Sequence, residues 1–250
     1  MKIRVLGASG GCAPGCPPSS YLLDDRFAVD AGAVATVLSL EEQSRLKHVL
    51  LTHSHLDHLR DLPLLLINGE RTKDPLQVHG TAETLEAMKR HLFNKEMWFE
   101  AFTIPIPMIE ATALPVGTTV DLAGYRVTGF PLHHTVPSTG WLVDDGRAAV
   151  FVAGDTDQED CLATVAKFAG ARLKAAFLET SFPNEAKEFA KLTAHLTPEG
   201  LGRAAKGLPP GVPLYVTHMK PGFEDRISGE LRALGNPAIR PVKSGERIEV

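Results

Sequence analysis

The stretch Thr52-His53-Ser54-His55-Leu56-Asp57-His58 comes directly after a short apolar run, and it carries four potential metal ligands within six residues. Imidazole and carboxylate groups suit zinc and similar cations. Residues two apart in an extended chain point to the same side, so we expect His53 and His55 to face one position. The turn into the next helix should aim Asp57 and His58 at a second position. The spacing therefore predicts two metal ions, an arrangement used for hydrolysis.

Three further candidate ligands stand beyond other apolar runs. His134, Asp155 and His218 each follow a predicted strand, and such strand ends can open toward a common edge. Any one of them could lie on the surface by accident, but three together make accident a poor explanation. Neighbouring strand residues point to opposite faces, so only one of His133 and His134 should reach the site. A solvated loop with scattered histidines is the alternative, and it would suit a single histidine better than this cluster.

The composition is that of an ordinary globular chain and excludes several classes of protein. The 250 residues are 44% hydrophobic and 22% charged, and 30 acidic against 26 basic residues give a formal net charge of −4, so a basic nucleic-acid footprint is absent. The densest apolar stretch, Leu62–Ile67, is too short to cross a membrane, and the first residues lack the apolar segment of a signal peptide. Three cysteines cannot build a disulfide scaffold. We expect a soluble, cytoplasmic protein.

Short apolar runs alternate with helical patterns along the chain. Runs bounded by turn residues predict strands at 3–6, 21–23, 27–29, 49–51, 175–178, 214–217 and 239–242. Residues 119–155 also predict strands, with Ala123-Gly124 as a hairpin turn. Apolar residues at helical spacing predict helices at 34–46, 81–93, 160–168, 198–205 and 224–234. No linker-like stretch divides the chain, so we predict one α/β domain over residues 1–250, a mixed sheet sandwich with helices outside.

The H-x-H-x-D-H motif, with the downstream His134, Asp155 and His218, resembles the metallo-β-lactamase superfamily over nearly the whole chain. The resemblance implies an αββα sandwich with two divalent metal ions at one edge. Zn²⁺ is the expected ion, although His and Asp also accept Mn²⁺ or Fe²⁺. Asp30 is similar to the family's aspartate that orients metal ligands by hydrogen bonding. The resemblance implies that the first ion is held by His53, His55 and His134, and the second by Asp57, His58 and His218, with Asp155 bridging.

Within that superfamily, the leucine before the Asp57-His58 pair is similar to the signature of class II cyclic-nucleotide phosphodiesterases. Further segments resemble blocks of that family, at 6–11, 20–23, 91–102, 178–182, 195–198 and 218–221. This resemblance implies hydrolysis of a 3′,5′-cyclic nucleotide to the 5′ nucleotide by a metal-bridging hydroxide. One departure is Asp61, which stands where the signature tends to carry glycine or serine.

Three residues are candidates for catalysis: Asp57, Glu179 and His195. His195 stands just before Thr197-Pro198, which suits the start of a helix, and backbone N–H groups at a helix start favour anions. We expect His195 to stabilise the phosphate or to protonate the leaving oxygen. The alternative is a loop histidine that merely packs. Glu179 either holds His195 in one tautomer or ends a strand in solvent.

The related tRNase Z branch is the main alternative. Residues 134–141, and the same blocks around Glu179, His195 and His218, resemble that branch as well. A tRNA processor needs phosphate contacts well beyond the cleaved bond, whereas this chain is acidic and shows no basic, glycine-rich arm. We therefore favour a small-molecule cyclic nucleotide over a nucleic acid as the partner, and expect no membrane partner. The resemblance also suggests a homodimer. Another hydrolase of this fold, or a non-catalytic metal-binding protein, stays open.

Overall fold

The computed structural model describes residues 1–68, 74–105 and 107–250. In this part of the chain two mixed β-sheets stack face to face, and helices cover both outer surfaces, which confirms the predicted αββα sandwich. The first sheet contains β1 (Lys2–Gly7), β2 (Ser20–Leu23), β3 (Phe27–Val29), β4 (His48–Leu50), β5 (Leu76–Gly80), β6 (Ile109–Ala113) and β14 (Arg247–Glu249). The second contains β7 (Thr119–Leu122), β8 (Tyr125–Leu132), β9 (Ser138–Asp144), β10 (Ala149–Val152), β11 (Leu173–Glu179), β12 (Leu214–Thr217) and β13 (Ile239–Pro241).

The helices pack their apolar faces on the outsides of the two sheets. They are α1 (Val34–Val37), α2 (Leu40–Arg45), α3 (Leu56–Leu59), α4 (Leu62–Ile67), α5 (Ala82–His91), α6 (Cys161–Ala169), α7 (Lys187–Leu192), α8 (Pro198–Ala204) and α9 (Glu224–Ala233). Residues of α1, α4 and α5 share a buried cluster with the first sheet, and residues of α6, α8 and α9 share one with the second. Among the described residues, no helix is both long enough and apolar enough to traverse a bilayer.

The strand order brings polar strand ends to one edge of the sandwich. The first sheet runs β14-β1-β2-β3-β4-β5-β6, with β3 to β6 parallel, and the second runs β13-β12-β11-β10-β9-β8-β7, with β10 to β13 parallel. The carboxyl ends of parallel strands lie at the same edge of a sheet. Asp30 follows β3, the motif 52–58 follows β4, Asp155 follows β10 and His218 follows β12. The topology therefore gathers the predicted site residues.

The predicted continuous helix over 34–46 is wrong, because the chain forms α1 and α2 instead. Ser39 starts the second helix: its hydroxyl accepts a hydrogen bond from Glu42 N at 3.2 Å, and the Glu42 carboxylate accepts one from Ser39 N at 2.8 Å. This reciprocal pair is a capping box, which stabilises a helix start and breaks the run. The hairpin at Ala123-Gly124 is confirmed, with φ of 53° and 86°.

Two histidines form a pair away from the predicted site, on β4 and β5. His48 Nδ1 lies 3.2 Å from His79 Nε2, and the ring planes differ by 21°. Burial, followed by the neighbouring His48, lowers the pKa of His79 from 6.5 to about 4. Burial and then Arg26 also lower the pKa of His48. Both rings are therefore neutral in the folded protein at pH 7.

We expect this pair to make the fold sensitive to acid. Between about pH 6.5 and about pH 4 the unfolded chain takes up a proton at His79 while the native chain does not, so the free energy of unfolding decreases as the pH falls. The loss from this side chain is at most about 3 kcal/mol. Urea unfolding near pH 7.5 and near pH 5 should show a larger loss in the wild type than in His79→Gln. Equal losses in the two proteins would contradict the account.

Candidate metal centre

The first group of ligands consists of His53, His55, His134 and Asp155. His55 Nδ1 lies 3.2 Å from His134 Nε2, and His53 Nε2 lies 3.6 Å from Asp155 Oδ2. One ligand atom from each of these residues lies within 4.8 Å of the other three. His53 and His55 reach the same side because the chain leaves β4 extended and only begins α3 after His55.

The second group consists of Asp57, His58 and His218, with Asp155 beside it. Asp57 and His58 lie in the single turn of α3. His218 Nε2 lies 3.2 Å from His58 Nε2 and 3.3 Å from Asp57 Oδ2. The two oxygens of Asp155 face this group as well, Oδ1 at 3.4 Å from His58 Nε2 and Oδ2 at 3.2 Å from His218 Nε2. The structure thus brings together all seven predicted ligands, and Asp155 touches both groups.

The backbone around His218 is held in an uncommon conformation. His218 has φ of 63°, in the left-handed region that residues other than glycine seldom occupy. Gly10 passes close over it: a Cβ at Gly10 would lie 2.3 Å from the carbonyl oxygen of His218 and 2.7 Å from its Nδ1. Only glycine fits at position 10 without displacing His218.

The donor set fits divalent transition metals. Zinc–nitrogen bonds of about 2.0–2.1 Å in a tetrahedron place neighbouring ligand nitrogens about 3.3 Å apart, and the facing imidazole nitrogens here lie 3.2 Å apart. In the described structure His53 Nε2 is buried without a hydrogen-bond partner, although it faces Asp155. A buried nitrogen of this kind needs a partner, and a cation between these ligands would provide one.

Asp30 and Thr52 lie behind the first sheet's ligands. Asp30 Oδ2 is 2.7 Å from His58 Nδ1, and the Thr52 hydroxyl donates to the same oxygen at 2.8 Å. The Thr52 oxygen also lies 3.1 Å from His53 Nδ1. His134 Nδ1 lies 2.9 Å from the carbonyl oxygen of Ala194. These contacts fix the ring orientations, as outer partners of metal ligands do.

Glu179 and His195 form a buried pair next to the ligands, and ligand atoms of His195, Asp155 and His218 also lie within 4.8 Å of one another. Glu179 Oε1 lies 2.6 Å from His195 Nδ1 and accepts a hydrogen bond from Thr156 N at 3.0 Å. Glu179 is 2% exposed, so it does not end its strand in solvent. The helix that follows His195 gives less support for anion binding than expected. It has only 7 residues, and Thr197 makes no side-chain capping hydrogen bond.

Burial and charge shift the pKa values at this edge in opposite directions. Burial, with the neighbouring His58, holds the pKa of His53 well below its ordinary value. Burial acts in the same direction on His195, but the Glu179 carboxylate outweighs it and raises the pKa of His195. Burial would raise the pKa of Asp57, yet the close contact with His218 and the nearby His58 hold it well below its usual range. His53 therefore suits a neutral ligand, whereas His195 suits a proton donor.

Two residues that contact the candidate ligands were not predicted from the sequence, because a hydroxyl by itself does not indicate a metal site. Thr52 and Ser181 contact candidate ligands through their hydroxyls, and both are fully buried.

Asp61, the departure from the phosphodiesterase signature, is also fully buried and accepts hydrogen bonds from the backbone N–H groups of Ala35 and Thr36, both at 2.9 Å. Asp61 thus anchors α1. His133 points away from the site, with a side chain 70% exposed, as expected for the neighbour of His134.

A groove of about 360 Å³ adjoins the site at His195. It lies between α7, α8 and the loop after Asp155. Its floor includes Ala190 and Leu196, and Lys191 lines its rim. A ligand that contacts His195 could therefore extend along this groove.

Comparisons with known proteins agree with this architecture. The family model described as "Beta-lactamase superfamily domain" matches residues 26–219. A protein of Yersinia pestis named "Probable 3',5'-cyclic-nucleotide phosphodiesterase" is 26% identical over 278 residues, which cover 90% of this chain and 79% of that protein. A ribonuclease Z of Mycobacterium sp. (strain KMS) is 30% identical over 227 residues, covering 82% of this chain and 78% of the relative.

A solved structure shows the same fold from end to end. The metallo-beta-lactamase fold protein YhfI from Bacillus subtilis superposes with a TM-score of 0.80 at 22% identity, covering 99% of both chains. The family model matches most of the chain, and both the ligand motif and the shared sandwich agree with that match. The chain belongs to the metallo-β-lactamase superfamily, a superfamily of hydrolases.

Proposed function

We propose that this chain, as one domain over residues 1–250, is a metal-dependent phosphodiesterase that hydrolyses a 3′,5′-cyclic nucleotide to the 5′ nucleotide. The observation that carries the proposal is the Glu179–His195 pair beside the seven candidate ligands, with His195 Nδ1 4.0 Å from Asp155 Oδ2. A buried imidazole with a raised pKa beside a metal centre suits protonation of a leaving oxygen. The phosphodiesterase-named relative supports the same reaction.

Two divalent ions, with Zn²⁺ first and Mn²⁺ or Fe²⁺ as alternatives, would be held by the two ligand groups. When bound there, the ions would supply Lewis acidity that lowers the pKa of water and offsets phosphate charge. The assigned ligands are His53, His55 and His134 for the first ion and Asp57, His58 and His218 for the second, with Asp155 shared.

The protein's own groups then bind, orient and move protons. His195 donates a proton to the leaving 3′ oxygen, and Glu179 fixes its ring by accepting from Nδ1. Asp57 orients the attacking water. Its side chain is 25% exposed and so can reach solvent, whereas the Asp155 side chain is only 3% exposed. The groove beside His195 receives the nucleoside, which carries the leaving oxygen.

A ribonuclease Z-like activity is the second candidate. It is favoured by the mycobacterial relative at 30% identity, whose alignment covers most of both chains. The formal charge of −4 weighs against it, since a tRNA substrate needs many phosphate contacts.

The proposed setting is the cytoplasm, because Cys12, Cys16 and Cys161 are free thiols, which suit a reducing compartment. A homodimer stays a prediction.

The test is a parallel assay of cyclic AMP and a pre-tRNA that carries a 3′ trailer. Metal-depleted protein should leave both substrates intact. After metal is restored, we expect cyclic AMP to be converted to AMP, as measured by chromatography, and the pre-tRNA trailer to stay intact. Trailer cleavage alone would move the protein to the ribonuclease Z reaction, and failure on both substrates with metal bound would overturn both candidates.

A further inference from the structure

The Ser181 hydroxyl lies at the centre of the buried contacts on the second sheet's side of the site. Ser181 follows β11 and is fully buried. Its Oγ donates to Glu179 Oε2 at 2.8 Å and lies 2.9 Å from His218 Nδ1 and 3.1 Å from His195 Nδ1. One hydroxyl thus contacts a candidate metal ligand, the candidate proton donor and the carboxylate that orients that donor.

We propose that Ser181 is a positioning residue that fixes the tautomer and orientation of His218, and that it links this candidate ligand to the Glu179–His195 pair. The inference rests on the proposed metal site. It assigns to one hydroxyl a role in metal binding and in proton transfer together.

The protons available at this cluster fix the direction of each hydrogen bond. An ionised carboxylate only accepts hydrogen bonds, so Glu179 must receive the Ser181 proton at Oε2 and the His195 Nδ1 proton at Oε1. Glu179 Oε2 at 2.8 Å is a nearer acceptor for the single Ser181 proton than the carbonyl oxygen of His218 at 3.3 Å, so Oγ accepts from His218 Nδ1. With the proton on Nδ1, the Nε2 lone pair of His218 faces Asp57 and Asp155, which are 3.3 and 3.2 Å away.

The same arrangement occurs a second time, on the first sheet. There the Asp30 carboxylate contacts His58 Nδ1 directly, and the Thr52 hydroxyl donates to Asp30 while it lies 3.1 Å from His53 Nδ1. Each sheet therefore supplies one carboxylate and one hydroxyl, and each pair serves two histidines. This recurrence indicates that the hydroxyls orient histidines and do more than fill space.

A neighbouring residue offers a matched control. Thr180 is also fully buried, but its hydroxyl donates to the carbonyl oxygen of Glu179 at 2.8 Å, and no contact of it with the site histidines is seen in the described structure. Thr180→Val and Ser181→Ala each remove one buried hydroxyl from adjacent positions. A purely structural role predicts similar effects for the two variants.

The experiment measures metal affinity by competition with a chromophoric chelator, together with kcat and KM on bis(p-nitrophenyl) phosphate. We expect Ser181→Ala to bind one of two zinc ions about 10- to 100-fold more weakly than the wild type. With zinc in excess, kcat should remain reduced by about 10-fold or more while KM changes little, because Glu179, which orients His195, loses the hydrogen bond that Ser181 donates to it. Thr180→Val should keep the wild-type metal affinity and kcat.

Two results would overturn the inference. One is a Ser181→Ala protein with the metal affinity of the wild type, and the other is an equal loss of affinity in both variants. Because the metal measurement needs no substrate, it separates this inference from the choice of substrate. A wild-type protein that binds no metal would overturn the proposed centre and this inference with it.

Discussion

Replacing Asp155 with alanine is expected to remove metal from the protein and to lower phosphodiester turnover by at least about 10³-fold, because several kcal/mol of transition-state stabilisation is lost with the ions. Asp155 has the largest expected effect of any single ligand, since its oxygens lie 3.4 Å from His58 Nε2 and 3.2 Å from His218 Nε2 and also face His53. Metal content by mass spectrometry and turnover of bis(p-nitrophenyl) phosphate measure the two losses.

The control for this substitution is Asp121→Ala, which removes an exposed carboxylate on β7, the edge strand of the second sheet. It should keep wild-type metal content and turnover. An Asp155→Ala protein that retained two ions per chain and most of its activity would show that Asp155 is not shared between them.

Replacing His195 with alanine should separate catalysis from metal binding. We expect kcat to fall about 10²- to 10⁴-fold, which is the usual contribution of a general acid, while metal content stays near that of the wild type. The reason is geometric: His195 Nδ1 lies 2.6 Å from Glu179 Oε1 but 4.0 Å from the nearest Asp155 oxygen. Turnover and metal content are measured on the same preparations.

The size of the loss in His195→Ala should depend on the leaving group of the substrate. An ester with a good leaving group, such as p-nitrophenolate, needs less protonation, so the loss in His195→Ala should be smaller on that ester than on cyclic AMP. His91→Ala, at the exposed end of α5, is the matched control and should behave as the wild type. Equal loss of metal and turnover in His195→Ala would instead make His195 part of the metal shell.

The ligand motif can be predicted from the sequence because its geometry is local. Residues 52–58 leave one strand and enter one helical turn, so the placement of His53, His55, Asp57 and His58 depends on chain direction over a few residues. His134, Asp155 and His218 were placed by the same rule, applied to three other strand ends. The sandwich follows from the alternation of strands and helices, and the family resemblance supplied its topology.

The supporting contacts could not be predicted, because they depend on register between distant strands. Ser181 meets His218 only because β11 and β12 are parallel neighbours, with Glu179 opposite Thr217. The His48–His79 contact likewise requires β5 beside β4, and the apolar pattern did not predict β5. Asp61 looked like a change in substrate signature, but it binds the backbone of α1 across the fold.

The most direct test of the central claim is a zinc titration of metal-depleted protein, with hydrolysis of a phosphodiester followed at each step. The two ligand groups predict that activity rises until two ions are bound per chain and then stays constant. Full activity with one ion per chain, or a protein that binds two ions and hydrolyses no phosphodiester, would contradict the account.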